Sequence, residues 1–115
     1  QFSTVLTLQE ESSRFDDLHI WMQQNLQHRL SVEDLAVRAG MSIRSFSRHY
    51  RAATGRTAAR VLEDMRLETA RRLLEQNGNI SRVARQCGFG TGETMRRIFR
   101  RRLGASPQEY RERFR

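Results

Sequence analysis

The sequence predicts an all-α fold of about seven helices, forming two helix-turn-helix subdomains joined by a long linker helix. Three observations carry this expectation. Apolar residues recur at three- and four-residue spacing from Phe15 onward. Glycines at 40, 55, 88 and 104 close short periodic stretches, as the left-handed turn after a helix prefers. Finally, a block of sequence occurs twice: Asn79, Ile80, Val83, Ala84, Cys87 and Gly88 stand 48 places after Ser31, Val32, Leu35, Ala36, Ala39 and Gly40.

Taken in order, Phe15, Leu18, Trp21, Met22 and Leu26 define a first packing helix from Phe15 to Gln27. Ser31 opens the second as N-cap, with Asp34 in a capping-box-like position, and Val32, Leu35, Ala36 and Ala39 form a narrow apolar face up to Gly40. Ser42 caps a third helix that runs through Phe46 and Tyr50 to Thr54, where Gly55 marks a stop. From Thr57 to Gln76, Val61, Leu62, Met65, Thr69, Ala70, Leu73 and Leu74 fall on one stripe of a long helix ended by Asn77 and Gly78. The second copy follows. With one extra residue in its turn, Thr91, Met95, Arg97, Phe99 and Gly104 stand 49 places after Ser42, Phe46, Arg48, Tyr50 and Gly55. Ser106, Pro107 and Glu109 begin a last helix toward Phe114, with Tyr110 and Phe114 four apart to pin it to the core.

The expected organisation is therefore a linker remnant over 1–14 and a helical domain over 15–115. The latter divides into a first unit at 15–55, the linker helix at 57–76 and a second unit at 79–115. The chain opens on Gln1 rather than Met, and its first fourteen residues show no steady period, which suggests a cut from a longer protein.

Composition narrows the partners. The 115 residues carry 21 basic and 13 acidic side chains, a net charge of +8, which favours a polyanion: nucleic acid first, anionic membrane second. Every basic residue is Arg and none is Lys, which suits bidentate contacts to phosphate or guanine and equally reflects codon usage in a GC-rich genome. The lone Cys87 can form no internal disulfide, so the expected location is a reducing cytoplasm. No run approaches the roughly 18 apolar residues of a membrane span, and no signal-peptide pattern opens the chain.

A short helix, a glycine turn and a second helix make the pattern whose second helix enters the major groove while the first braces it. Ala36 and Ala84 fit the close crossing of such a pair. The positions not claimed by Phe46 and Tyr50 in the first recognition helix are Arg44, Ser45, Ser47, Arg48 and Arg51, with Ser42 at its cap. Those left by Met95 and Phe99 in the second are Gly92, Glu93, Thr94, Arg96, Arg97 and Arg100, with Thr91 at its cap. Arg bonds guanine bidentately, Glu accepts from cytosine, Ser and Thr serve several bases, and Gly92 allows close backbone approach. Base readout is expected of Arg44, Arg48, Glu93, Arg96 and Arg97, with phosphate the alternative target for each Arg. Gly40 and Gly88 are the structural turn residues.

These residues resemble the DNA-binding domain of the AraC/XylS family of bacterial transcriptional regulators. The resemblance spans Phe15 to the end and rests on LSVEDLAVRAGMSIRSFSRHYRAATG, RLETARRLLE and ISRVARQCGFGTGETMRRIFRRRLGASPQEYR, the closing GFG and RRIFRRRLGASPQEYR being the most specific parts. Met95 and Leu103 depart from it, standing where an aromatic is more usual. The resemblance implies a double-stranded DNA operator, no cofactor, a nucleoid-associated bacterial protein and an activator that contacts RNA polymerase. In detail the chain is similar to a subgroup with an N-terminal PfpI-like, glutamine-amidotransferase-like domain, through which a small-molecule effector would act.

Two other classes were weighed against this. An enzyme finds no support: His19, His28 and His49 lack paired ligand spacing, and no carboxylate pair or glycine-rich phosphate loop appears. A general polyanion-binding module, for RNA or anionic membrane, is suggested by RRIFRRR. Against it, Met95, Ile98, Phe99 and Leu103 are expected to be committed to the second unit's core.

Overall fold

The computed structural model describes Ser13 and residues 15–113, and among these all regular structure is helical. Helix α1 includes Ser13, within the stretch expected to be linker, and residues 15–24; it is followed by α2 (Val32–Arg38), α3 (Ile43–Thr54), α4 (Ala58–Glu75), α5 (Ile80–Gln86), α6 (Gly92–Leu103) and α7 (Pro107–Glu112). The chain divides into two compact units. The first takes the residues up to Asn25 with Leu30–Leu62, the second Leu26–Arg29 with Glu63 onward, so α4 supplies residues to both.

The first core is aromatic. Phe15, Phe46 and Tyr50 are fully buried with Leu18, Met22, Leu35 and Ala36, and the Phe15 ring meets Phe46 and Tyr50 edge-on at 5.9 and 5.0 Å. Tyr50 directs its hydroxyl to His19 Nε2 at 2.7 Å. Burial pushes the Tyr50 phenol up to about 12, and burial likewise lowers His19, against the opposing pull of Asp16. The second core gathers Leu67, Ala70, Leu74, Val83, Ala84, Cys87, Phe89, Met95, Phe99 and Tyr110.

The repeated caps form as the residue types dictate. Ser31 and Asp34 make a complete capping box, whereas its counterpart Asn79 caps the Arg82 amide alone, because an arginine occupies the position of Asp34. Ser42 accepts from the Ser45 amide and Thr91 from the Thr94 amide. Gly55 and Gly104 close α3 and α6 in the left-handed region, donating to the carbonyls of Arg51 and Arg100. The residue inserted in the second turn is Gly90.

Several expectations are corrected. Helix α1 ends at 24, not Gln27: the Asn25 side-chain amide takes the Trp21 carbonyl at 2.8 Å, and the Arg66 guanidinium takes the carbonyls of Leu26 and His28 at 3.2 and 2.9 Å. Those carbonyls are turned out of helical register. Val32 is 42% exposed and Ala39 half-buried, so the inner face of α2 shrinks to Leu35 and Ala36. No single stripe runs along α4, since two cores draw on it: Ala58, Val61 and Leu62 are buried in one unit and Leu67, Ala70 and Leu74 in the other, leaving Met65, Thr69 and Leu73 half-buried. Leu103 is 38% exposed, because the chain reverses at Gly104 and Ala105, Ser106 and Pro107 are buried instead. Phe114 and the 1–14 linker, apart from Ser13, lie outside the described residues.

The two turn glycines, alike in sequence, differ in surroundings. Gly40 and Gly88 both have positive φ, 71° and 87°. A Cβ at Gly40 meets nothing within 4 Å, whereas one at Gly88 falls 1.9 Å from the Leu26 carbonyl oxygen and 2.5 Å from Arg66 Nε. Gly40→Ala should therefore cost about 1 kcal/mol of unfolding free energy through backbone strain. Gly88→Ala should cost about 3 kcal/mol, since backbone must also move. Urea midpoints lowered equally in the two variants would contradict this difference.

A second expectation concerns pH. The fold disfavours protonated His19, so the unfolded chain takes up that proton first. The stability linked to His19 is whole above its ordinary pKa of about 6.5 and is lost as pH falls through that value. Urea midpoints at pH 7.5 and 5.5 should diverge less in His19→Gln than in the parent; an unchanged drop would assign the loss to other groups.

Candidate nucleic-acid interface

The outward faces of α3 and α6 are fixed by what each helix buries. Phe46 and Tyr50, four apart, are fully buried in α3, as are Met95 and Phe99 in α6. At 100° per residue this turns Arg44, Arg48 and Arg51 to the far side of α3 with Ser47 on its flank, and Glu93, Arg97 and Arg100 to the far side of α6 with Arg96 on its flank. All eight are exposed. The two sets correspond one to one at the 49-residue interval of the repeat.

The other expected site residues sit differently. Ser42 and Thr91 are exposed, and their hydroxyls are engaged as N-caps; Thr91 Oγ1 also donates to Thr94 Oγ1 at 3.1 Å. Ser45 and Thr94 are half-buried, each supplying the capped amide. Gly92, half-buried at the first position of α6, leaves room for a Cβ, whose nearest neighbour would be Ile80 Cγ2 at 3.8 Å. The protein itself does not demand glycine there. Ser47 borders a small cleft with Val32, Thr57, Ala58 and Ala59.

The arginines divide by whether a carboxylate or carbonyl reaches them. Arg44, Arg48, Arg51, Arg96 and Arg97 make no side-chain hydrogen bond or ion pair among the described residues. Arg100 pairs with Glu109 at 2.9 Å, Arg101 with Glu63 at 3.0 Å, and Arg102 with both Glu63 and Asp64. Arg71 donates to the Tyr110 hydroxyl at 2.9 Å, and that hydroxyl donates to Glu75 at 3.0 Å, holding α7 to α4. The run RRIFRRR is thus two groups of cations, an open pair at Arg96 and Arg97 and a paired set at its end.

Sequence reasoning passed over Arg82 and Arg85, exposed on α5 with no side-chain partner among the described residues. The signal was present in the repeat, for they align with Asp34 and Val37 of α2. It also passed over Ile43, 45% exposed at the first turn of α3.

Cys87 is fully buried, and burial pushes its thiol up to about 11, so it stays protonated and packs as a small apolar group. Among the described residues, no group of three His, Cys, Asp or Glu side chains could hold a metal ion, and no helix is long and apolar enough to cross a membrane.

Comparison with known proteins agrees with this geometry. A family model described as a helix-turn-helix domain matches residues 35–113. The chain is 47% identical over 88 residues to the HTH-type transcriptional regulator Rv1931c of Mycobacterium tuberculosis, covering 76% of this chain and 33% of that protein. The DNA-binding domain of AdpA, a global transcriptional factor solved in complex with a target DNA, superposes with a TM-score of 0.82 at 38% identity, over 88% of this chain and 92% of that one. A transcriptional regulator from Chromobacterium violaceum, of the AraC-type DNA-binding class, superposes at 0.78 with 26% identity over 89% and 92% of the two chains. The chain spans about a third of the length of the curated relatives it matches, 33% and 38% for the first two. Fold and family are those of DNA-binding regulators rather than enzymes. This chain belongs to the AraC-type helix-turn-helix family of DNA-binding domains.

Proposed function

We propose that this chain binds duplex DNA sequence-specifically within a bacterial transcriptional regulator, α3 and α6 acting as recognition helices in successive major grooves. The observation that carries the reading is the pair of exposed, unpartnered faces repeated at the 49-residue interval, with Arg44, Ser47, Arg48 and Arg51 on one helix and Glu93, Arg96 and Arg97 on the other. Their chemistry matches base edges: guanidinium to guanine O6 and N7, carboxylate to the cytosine amine. Arg51, Arg82 and Arg85 serve phosphates, and Arg100, already paired with Glu109, serves as a weaker phosphate contact. Ser42, Thr91, Ser45 and Thr94 shape the helix N-termini whose amides face the backbone.

The rest of the protein carries the regulation. In this reading residues 1–14 form the connection to an N-terminal PfpI-like, glutamine-amidotransferase-like domain that binds a small effector, and residues 15–115 are the DNA-binding domain. The relatives, more than twice as long as this chain, support a further domain. The site of action is the cytoplasm, at the nucleoid, and activation through RNA polymerase is carried over with the family.

Selection of bound duplexes from a random pool at fixed salt should enrich a motif of two blocks about one helical turn, roughly 34 Å, apart. No enrichment would mark a general polyanion binder. On the enriched duplex, Arg48→Ala and Arg97→Ala should each lose about 1 to 3 kcal/mol and relax preference at one base pair. Equal weakening on random DNA would make these residues phosphate clamps.

A further inference from the structure

The C-terminal turn of α6 carries two arginines that have no counterpart in α3. At the 49-residue interval, Arg101 and Arg102 align with Ala52 and Ala53. In the first unit α3 is seated at this end through Tyr50, packed against Phe15 and Phe46 and within 2.7 Å of His19 Nε2. In the second, Arg102 is only 15% exposed and donates to both Glu63 and Asp64. Arg101 donates to both oxygens of Glu63, at 3.2 and 3.0 Å. The two carboxylates are themselves three-quarters or so screened from solvent, at 26% and 29% exposed. Partly desolvated, multiply bonded guanidinium–carboxylate networks are directional and stronger than exposed pairs.

We propose that Arg101 and Arg102 are positioning residues, which tie the end of α6 to Glu63 and Asp64 of α4 and so set the tilt at which the second recognition helix meets DNA. The inference rests on the DNA-binding reading above. The four charges cancel, so this end of RRIFRRR adds nothing to phosphate attraction despite its composition. Its effect is mechanical: α6 has 12 residues, and at 1.5 Å per residue a tilt of about 10° at one end displaces the other by roughly 3 Å. A bidentate base contact does not survive a displacement of that size.

Anisotropy titrations test this with the two-block duplex, versions with either block scrambled, and a random duplex. Glu63→Gln with Asp64→Asn raises the positive charge by two, so electrostatics alone predicts tighter binding to every duplex. Positioning predicts instead that preference for the intact second block falls about tenfold, while first-block preference is retained and reports that the domain is folded. In Arg102→Gln the slope of log K against log salt should stay unchanged; a slope reduced by about 0.9 would make Arg102 a phosphate contact and overturn the proposal. Unchanged second-block preference in the double variant would also overturn it, and recovery in Asp64→Arg with Arg102→Asp would support it. If the double variant loses helical circular dichroism, Arg101→Gln decides by the same two readouts, since it leaves the Arg102 pairs in place. A parent domain that prefers neither block over random DNA refutes the DNA-binding reading itself, and the positioning role falls with it.

Discussion

Two buried side chains one helical turn apart set the register of each outer helix, Phe46 with Tyr50 in α3 and Met95 with Phe99 in α6. A helix has a single free rotation about its axis, and burying a pair of large residues on one line removes it. Loss of such a residue costs about 3 to 5 kcal/mol, a large fraction of what a domain of this size has in hand. The outer face is then no longer a matter of choice. Residues one and two places from a buried one are turned away from the core, and in this chain those displayed to solvent include Arg44, Ser47, Arg48 and Arg51, then Glu93, Arg96, Arg97 and Arg100. The site is a consequence of core packing, and only its chemistry is independent of it.

Carboxylates govern the second level. With 21 arginines the chain looks uniformly basic, yet the structure sorts them. Glu109 takes Arg100, Glu63 and Asp64 take Arg101 and Arg102, and Glu68 takes Arg71 at 3.2 Å. Arg66 is held by backbone carbonyls, and burial lowers its pKa. Among the described residues, those left open include Arg44, Arg48 and Arg51 of α3 and Arg96 and Arg97 of α6, together with Arg82 and Arg85. A polyanion therefore meets a patterned surface, and pattern is what separates recognition of a sequence from general attraction to phosphate.

Most of the helical architecture was legible in the sequence because its signals are local. Caps such as Ser31, Ser42, Asn79, Thr91 and Ser106 act within three residues of themselves, and the stops at Gly55 and Gly104 act within four. What was not legible depends on contacts between residues far apart in the chain. The early end of α1 follows from Arg66, about 40 residues downstream. The difference between Gly40 and Gly88 lies in the Leu26 carbonyl and the Arg66 guanidinium that approach one of them. The burial of Leu67 was hidden because α4 serves two cores, and a helical wheel assumes one. For the outer faces the buried pairs were enough to place Arg44, Ser47, Arg48 and Arg51, and Glu93, Arg96, Arg97 and Arg100, whereas Ser45, Gly92 and Thr94, expected beside them, are half-buried. The sequence could not say which arginines already had partners, since Glu63 and Asp64 lie nearly 40 residues from Arg101 and Arg102.

Duplication with divergence gives the two halves one backbone and two chemistries. The caps, the left-handed glycines and the buried pairs recur in position, and Arg48 and Arg51 recur as Arg97 and Arg100, whereas Glu93 stands in the place of Arg44 and Arg96 in that of Ser47. A donor-only guanidinium and an acceptor-only carboxylate cannot favour the same base edge, because guanine offers acceptors in the major groove where cytosine offers a donor. The two displayed faces differ in this way, so under the DNA-binding reading the two blocks of a site need not share a sequence, and Glu93 favours a base edge that Arg44 does not.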